Sequence, residues 1–257
     1  MYYTRRRTIK NMLNAKPFVS LKELEEVFPQ VSSMTLRRDI EYLERAGEAI
    51  KVRGGARSMK FITTSMEEKF NLRLNENIDA KTQIAKIACR EIETGRSIFL
   101  DSGTTMLKLA ELMADQRVTV TTTGPNVALE LIKKHFPIVN MVGGMLNRDN
   151  VSIAGSQAIR YLCDVNIDVA FIVPSGFSLQ SGLTSGNFSE CELKKFIVEK
   201  ARKIVVLMDA SKLDKNLPYT FCDFEKIDMI ITDKPLPSSV EDAAKLNDIK
   251  IVVATNH

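Results

Sequence analysis

Apolar residues recur at helical spacing in the first fifth of the chain, then give way to short continuous runs separated by amphipathic stretches. Ile9, Met12 and Leu13 predict a helix over 5–14, which Lys16-Pro17 ends because proline disfavours helix in the residue before it. Ser20, with Glu23 three residues on, reads as a capping box, and Leu21, Leu24, Val27 and Phe28 form the stripe of a second helix that Pro29 closes. Ser32 or Ser33 can cap a third helix running to about residue 46. It carries Leu36, Ile40 and Leu43 on one face, Thr35, Arg38 and Tyr42 on the other, and Arg37 on the flank. Gly47 is a natural stop. Residues 49–52 are short and alternating, and 53–57 can form a flexible basic turn. Three short helices followed by a ribbon predict a winged helix-turn-helix.

The remainder reads differently. Residues 57–66 have no clear period and form a connection, followed by helices over 66–73 and 80–93. Apolar strands are expected at 97–101, 118–122, 138–142, 168–173, 204–208, 229–231 and 249–253, with helices at 105–113 and 126–134 between the first of them. Continuous apolar strands alternating with helices predict a parallel sheet covered on both faces. The expected fold is therefore α/β: an N-terminal winged helix-turn-helix domain (1–57), a linker and connecting helix (58–75), and a larger Rossmann-like α/β effector-binding domain (76–257).

Charge sharpens the division. The 257 residues carry a net charge of only +4, yet residues 1–60 hold 13 Lys/Arg against 7 Asp/Glu, and residues 61–257 hold 23 against 25. A basic head on a nearly neutral body points to a polyanionic partner for the head. A hydrophobic content of 44% excludes a disordered chain. No apolar run is long enough to cross a bilayer, and no apolar segment follows the basic N-terminus as a secretory signal would require. Cys89, Cys163, Cys191 and Cys222 are scattered, and neither His135 nor His257 stands at ligand spacing from them. They read as buried thiols in a reducing cytosol, with no metal and no cofactor. There is no G-x-G-x-x-G and no G-x-x-x-x-G-K-[ST].

Groove geometry explains the polar face of the third helix. The major groove admits one helix, whose first turns reach base edges. Ser33, Thr35, Arg37 and Arg38 meet that demand, and Arg53 and Arg57 in the wing suit phosphate or minor-groove contact. The alternative is that Arg37 and Arg38 pair with Asp39 or Glu41 on a solvated helix. In the body, Asp101-Ser102-Gly103-Thr104-Thr105 falls where a strand ends and a helix begins, the edge at which open α/β sheets bind ligands. Hydroxyls and free N–H groups at that point form an anion cradle. Asp101 would repel a phosphate and is assigned to sugar hydroxyls or to capping the loop. The alternative is an ordinary N-cap turn. Glu190 and Lys194 share a helix face at i,i+4 spacing, which on the surface is worth only a few tenths of a kcal/mol.

Val31-Ser-Ser-Met-Thr-Leu-Arg-Arg-Asp-Ile-Glu-Tyr-Leu-Glu44, followed by Arg53-Gly-Gly-Ala56, closely resembles the DeoR family of bacterial transcriptional regulators, although Arg53 stands where the family usually has His. The body is similar to the sensor half of that family over nearly its full length. The matching stretches are residues 98–105, Gly143-Gly144, 168–171, 182–184, Glu190-Cys-Glu-Leu-Lys194 and 207–212. Two stretches depart from its pattern, Thr122-Thr-Gly124 and Val173-Pro-Ser-Gly176. The resemblance implies a fold like ribose-5-phosphate isomerase A and a phosphorylated sugar as effector. It adds Glu192, Lys194, Asp209 and Lys212 to the expected pocket residues.

The expected function is a DNA-binding regulator, a repressor of a sugar or related carbon-metabolism operon. Its partners would be double-stranded operator DNA, a phosphorylated sugar and a second copy of the chain in a homodimer or higher oligomer, without a membrane and in the cytoplasm. Two alternatives stay open. One is a sugar-phosphate isomerase-like enzyme using Glu192, Asp209 and Lys212 as acid–base groups, and the other a nucleic-acid-binding scaffold whose body only oligomerises.

Overall fold

The apolar stripes of the amino-terminal segment close on one another in the structure, a computed structural model that describes residues 2–16, 18–58 and 69–254. The chain falls into two compact units, Met1–Met66 and Glu67–His257. The first runs through α1 (Tyr2–Ala15), β1 (Phe18–Ser20), α2 (Leu21–Val27), α3 (Ser33–Arg45), β2 (Ala49–Val52) and β3 (Gly55–Ser58). Ile9, Leu13, Leu24, Leu36, Ile40 and Leu43, all at the expected stripe positions, meet in one core with Val19, Ala49 and Ala56. The capping box forms: the Glu23 N–H donates to Ser20 Oγ at 3.1 Å, and the Ser20 N–H donates to the Glu23 carboxylate at 2.8 Å. At α3 the cap is Ser32, whose Oγ accepts from the Thr35 N–H, and Ser33 is the first helical residue.

The flexible turn expected over 53–57 is a correction. Only Arg53 and Gly54 turn, and β3 then pairs antiparallel with both β2 and β1 in a sheet of order β1-β3-β2. A Gly-Ala-Arg-Ser strand has no apolar alternation to announce it, and its pairing depends on β1, which is remote in sequence. Gly55 is required there, because a Cβ would fall 2.2 Å from the Val19 carbonyl oxygen. The connection expected over 57–66 lies outside the described residues beyond Ser58. So do 66–68 of the helix expected to follow it, and the described helix begins at Phe70.

In the second unit, α4 (Phe70–Leu74) and α5 (Ile78–Ala88) lead into β4 (Ser97–Leu100), α6 (Thr104–Leu112), β5 (Thr119–Thr122), α7 (Pro125–Leu131) and β6 (Ile138–Met141). Next come β7 (Met145–Asn147), β8 (Ser152–Ala154), α8 (Ser156–Leu162), β9 (Val169–Ile172), β10 (Gly176–Ser178), β11 (Gly182–Ser185) and α9 (Phe188–Lys200). The chain closes with β12 (Ile204–Leu207), β13 (Tyr219–Cys222), β14 (Met229–Thr232), α10 (Ser238–Leu246) and β15 (Lys250–Val253). All seven expected apolar strands form one parallel sheet of order β15-β14-β12-β9-β4-β5-β6. Two separate apolar clusters cover its faces, which is why β12 and β14 are buried at every position. The strand order reverses between β4 and β9. That switch opens a crevice at the carboxyl ends of the strands, because the chain leaves β4 and β9 toward opposite sides.

The pattern of the sequence did not foretell the hairpin β7–β8 or the antiparallel sheet β10-β11-β13. Their strands are short and rich in Gly, Ser and Thr. The four thiols are not all buried either. Cys191 and Cys222 are, but Cys89 is half-buried and Cys163, at the C-terminal end of α8, is exposed. No helix among the described residues is long and apolar enough to cross a membrane.

Candidate functional site

Helix α3 presents its polar face to solvent because its apolar stripe is committed to the core. Ser33, Arg37 and Arg38 are exposed, as are Arg53 and Arg57 in the wing, and Thr35 is half-buried. The surface-pairing alternative finds no direct pair for Arg37 or Arg38, since both carboxylates engage other partners and Arg38 acts on Glu41 only at a distance. Asp39 is 1% exposed and lies 2.5 Å from Arg5 Nε and 2.8 Å from Arg6 Nε, and Glu41 accepts from Lys51 Nζ at 2.6 Å. Neither Arg37 nor Arg38 makes an ion pair or hydrogen bond among the described residues. The two hydroxyls are less free. Ser33 Oγ donates to Glu25 at 2.6 Å, and Thr35 Oγ1 sits 3.0 Å from the capping Ser32 Oγ. Tyr42 is covered by the Arg6 guanidinium, 3.8 Å from its ring centroid.

Two features of this face escaped the sequence. Met34 is 65% exposed among the cations, where an apolar tip can meet a thymine methyl. The Arg5–Asp39–Arg6 clamp ties α1 to α3, and only the packing of those helices brings the three together.

The second site lies at the switch point. The carboxyl ends of β4, β9 and β12 and the segment from α4 to α5 enclose a cavity of about 250 Å³. Gly103, Thr104 and Thr105 line it from the start of α6, and Asp209 and Lys212 from the turn after β12. Gly103, at φ +116°, caps α6 without a side-chain hydrogen bond, so no side chain caps the first N–H groups of the helix. Asp101 and Ser102 lie beneath this loop and are buried. Asp101 caps the loop: its carboxylate accepts from the N–H of Ser102 at 2.8 Å and of Val173 at 3.1 Å, and pairs with Lys194 Nζ at 2.8 Å. Lys194 also donates to the Val173 carbonyl at 2.7 Å, so it braces the loop from below.

Glu190 and Lys194 are thus both buried, contrary to the surface pair their spacing suggested. Glu190 accepts from Asn150 at 3.0 Å and from Ser152. The reason is that α9 lies under the β8 and β13 strands, which the helix pattern alone could not show. Glu192, two residues off that line, is half-exposed, pairs with Lys195 at 3.3 Å and is not part of the cavity wall. Asp209 turns its carboxylate to the Ser211 N–H at 2.9 Å and so caps its own turn.

Sequence reasoning missed the opposite wall, made by Arg73, Glu76, Asn77 and Lys81, with Lys215 at the rim. Lys81 is buried and donates to the carbonyls of Arg73 and Glu76, which fixes the α4–α5 turn against the cavity, and burial lowers its pKa. No motif flags these residues, since their role depends on α4 folding back onto the sheet. The cavity collects four cations against Glu76 and Asp209.

A basic winged helix-turn-helix, in one chain with a parallel sheet that carries a cationic cavity at its switch point, defines a DNA-binding regulator with a separate sensor unit. The family model described as the DeoR-like helix-turn-helix domain matches residues 5–61, and that of the DeoR C terminal sensor domain matches 76–234. The chain belongs to the DeoR family of transcriptional regulators. It is 35% identical over 223 residues to the HTH-type transcriptional regulator IolR of Bacillus subtilis, covering 85% of this chain and 86% of the relative. It is 30% identical over 250 residues to a relative in Escherichia coli O157:H7, named provisionally as the aga operon transcriptional repressor, covering 97% and 93%. Among solved structures, ribose 5-phosphate isomerase A from Methanocaldococcus jannaschii aligns with 55% of this chain and 56% of its own, at 20% identity and a TM-score of 0.41. The relatives are regulators, so the chain is a DNA-binding regulator and not an enzyme.

Proposed function

We propose that this chain represses a sugar or related carbon-metabolism operon, and that a phosphorylated sugar bound in the cavity controls its affinity for the operator. The observation that carries this reading is the chemistry of the cavity. Helix N–H groups and the Thr104 and Thr105 hydroxyls face Arg73, Lys81, Lys212 and Lys215, which suits a phosphate, while Asn77, Glu76 and Asp209 offer partners for sugar hydroxyls. A cavity of this size admits a pentose or hexose phosphate and little more. Ser33, Thr35, Arg37 and Arg38, with Arg53 and Arg57, form the DNA-reading set, and Met34 joins it.

Regulation follows if the sugar phosphate binds the DNA-competent and DNA-incompetent states unequally. The test pairs a thermal-shift screen of sugar phosphates and their unphosphorylated sugars with gel shifts on operator DNA. The expected result is that a phosphorylated sugar alone raises the melting temperature of the larger unit and releases the operator. Failure of every sugar phosphate to do either overturns the effector assignment. Arg38→Ala is expected to abolish operator binding with the fold intact, and wild-type affinity should fall steeply between 50 and 200 mM salt, as counterion release demands. An Arg38→Ala variant that binds like wild type refutes the reading face.

A further inference from the structure

Among the described residues, β6 has a neighbour on one side only of the large sheet. Ile138 and Val142 donate their N–H groups to β5 and its end, at Val118 and Thr122. Alternation then turns the N–H and C=O groups of Val139 and Met141 to the open edge. Chains protect such an edge with Lys, Pro, a bulge or a covering element. This one is entered from Pro137, reads Ile138-Val-Asn-Met141 and carries no charge within the strand. Around it Ile132, Phe136, Ile138, Met141, Met145 and Leu146 are each more than half exposed, with cations at Lys133 and Lys134 in the connection and at Arg117 below it. At roughly 100 Å² for each such side chain, the rim comes to about 600 Å², the upper end of what a monomer exposes and close to the ~800 Å² that each partner gives to a stable interface.

We propose that β6 and its apolar rim form a two-fold interface with a second copy of this chain. The two β6 strands pair antiparallel about Asn140, so two seven-stranded sheets join into one. A second copy fits this edge because antiparallel pairing about a central residue is self-complementary: Val139 of each strand exchanges both backbone hydrogen bonds with Met141 of the other. A strand without charge asks for no oppositely charged partner. The interface is isologous, the form a closed dimer needs, and a helix-turn-helix reading two half-sites of a symmetric operator needs a two-fold pair. The inference does not depend on which metabolite fills the cavity.

The test measures the mass of the full chain by sedimentation and light scattering. Wild type is expected at twice the protomer's 28.9 kDa, or an even multiple of it. Met141→Lys is expected to halve that mass while keeping the wild-type circular dichroism spectrum. Should that variant fail to fold, Asn140→Cys in a Cys163→Ser background decides. Pairing about residue 140 brings the two Cα atoms to about 4.5 Å, inside the range a disulfide spans, so mild oxidation gives a covalent dimer. A wild type that runs as a monomer overturns the proposal. So does a folded Met141→Lys variant of wild-type mass, or an Asn140→Cys variant that cross-links no faster than an exposed Leu246→Cys control.

Discussion

Lys194→Met tests whether the cavity loop stands on a desolvated ion pair. The Lys194 ammonium lies 2.8 Å from Asp101, and the two side chains are 6% and 1% exposed. Removing one member of a buried pair costs about 3–5 kcal/mol, because the other charge is left without its partner. Two features place this case at the lower end. Asp101 keeps the N–H groups of Ser102 and Val173, and methionine fills most of the volume that lysine leaves. The expected loss is about 3 kcal/mol. With a urea slope of about 2 kcal/mol per molar, the midpoint of the larger unit drops by about 1.5 M. The assay is urea unfolding of the full chain followed by circular dichroism, beside Asp101→Asn and the double variant. Removing both charges should cost less than the two single losses added together, with a coupling of about 2 kcal/mol. A single loss below about 1 kcal/mol, or a coupling near zero, refutes the claim that the pair is desolvated and braces the loop.

The remaining predictions concern acid and thiol chemistry. The Lys16 ammonium, aided by the Ser20 backbone N–H, holds the Glu23 carboxyl at about 2, against an ordinary 4.5. A depressed folded-state value stabilises above the unfolded one, so this contribution is complete above pH 4.5 and fades as pH falls toward 2. Glu23→Gln should therefore flatten the acid limb of helical signal in that window, and an unchanged limb contradicts the Glu23 carboxylate and its pairing with Lys16 as the source. Burial pushes the Cys222 thiol up to about 12, Cys89 to about 11 and Cys191 upward, whereas Cys163 is exposed. One thiol per chain should react rapidly with Ellman's reagent at pH 8, and Cys163→Ser should remove it. Rapid titration of a second thiol would show that a buried cysteine is accessible.

Long-period patterns were readable in advance, and short or non-local ones were not. The stripe Leu36, Ile40, Leu43 had to face a core because three apolar residues on one helix side bury together, and the polar face followed. The continuous apolar runs had to become inner parallel strands, since a strand buried on both faces cannot alternate. The loop after β4 was expected at the ligand edge for the same reason, and Gly103, Thr104 and Thr105 do line the cavity. The wing's return strand, by contrast, has no signature in Gly-Ala-Arg-Ser. Lys194 looked like surface decoration because i,i+4 spacing says which residues share a face and not what that face meets.

Periodicity and local chemistry, both properties of neighbouring residues, therefore established two modules, their fold classes, the exposed polar face of α3 and one wall of the cavity. What remained required contacts between residues far apart in the chain. Asp39 is claimed by Arg5 and Arg6 rather than by its neighbours, Lys194 reaches Asp101 across 93 positions, and Arg73 and Lys81 close the cavity from the other side. Each of those pairings is decided by how the helices and the sheet pack. Packing depends on the fit of whole surfaces, which no window of adjacent residues contains.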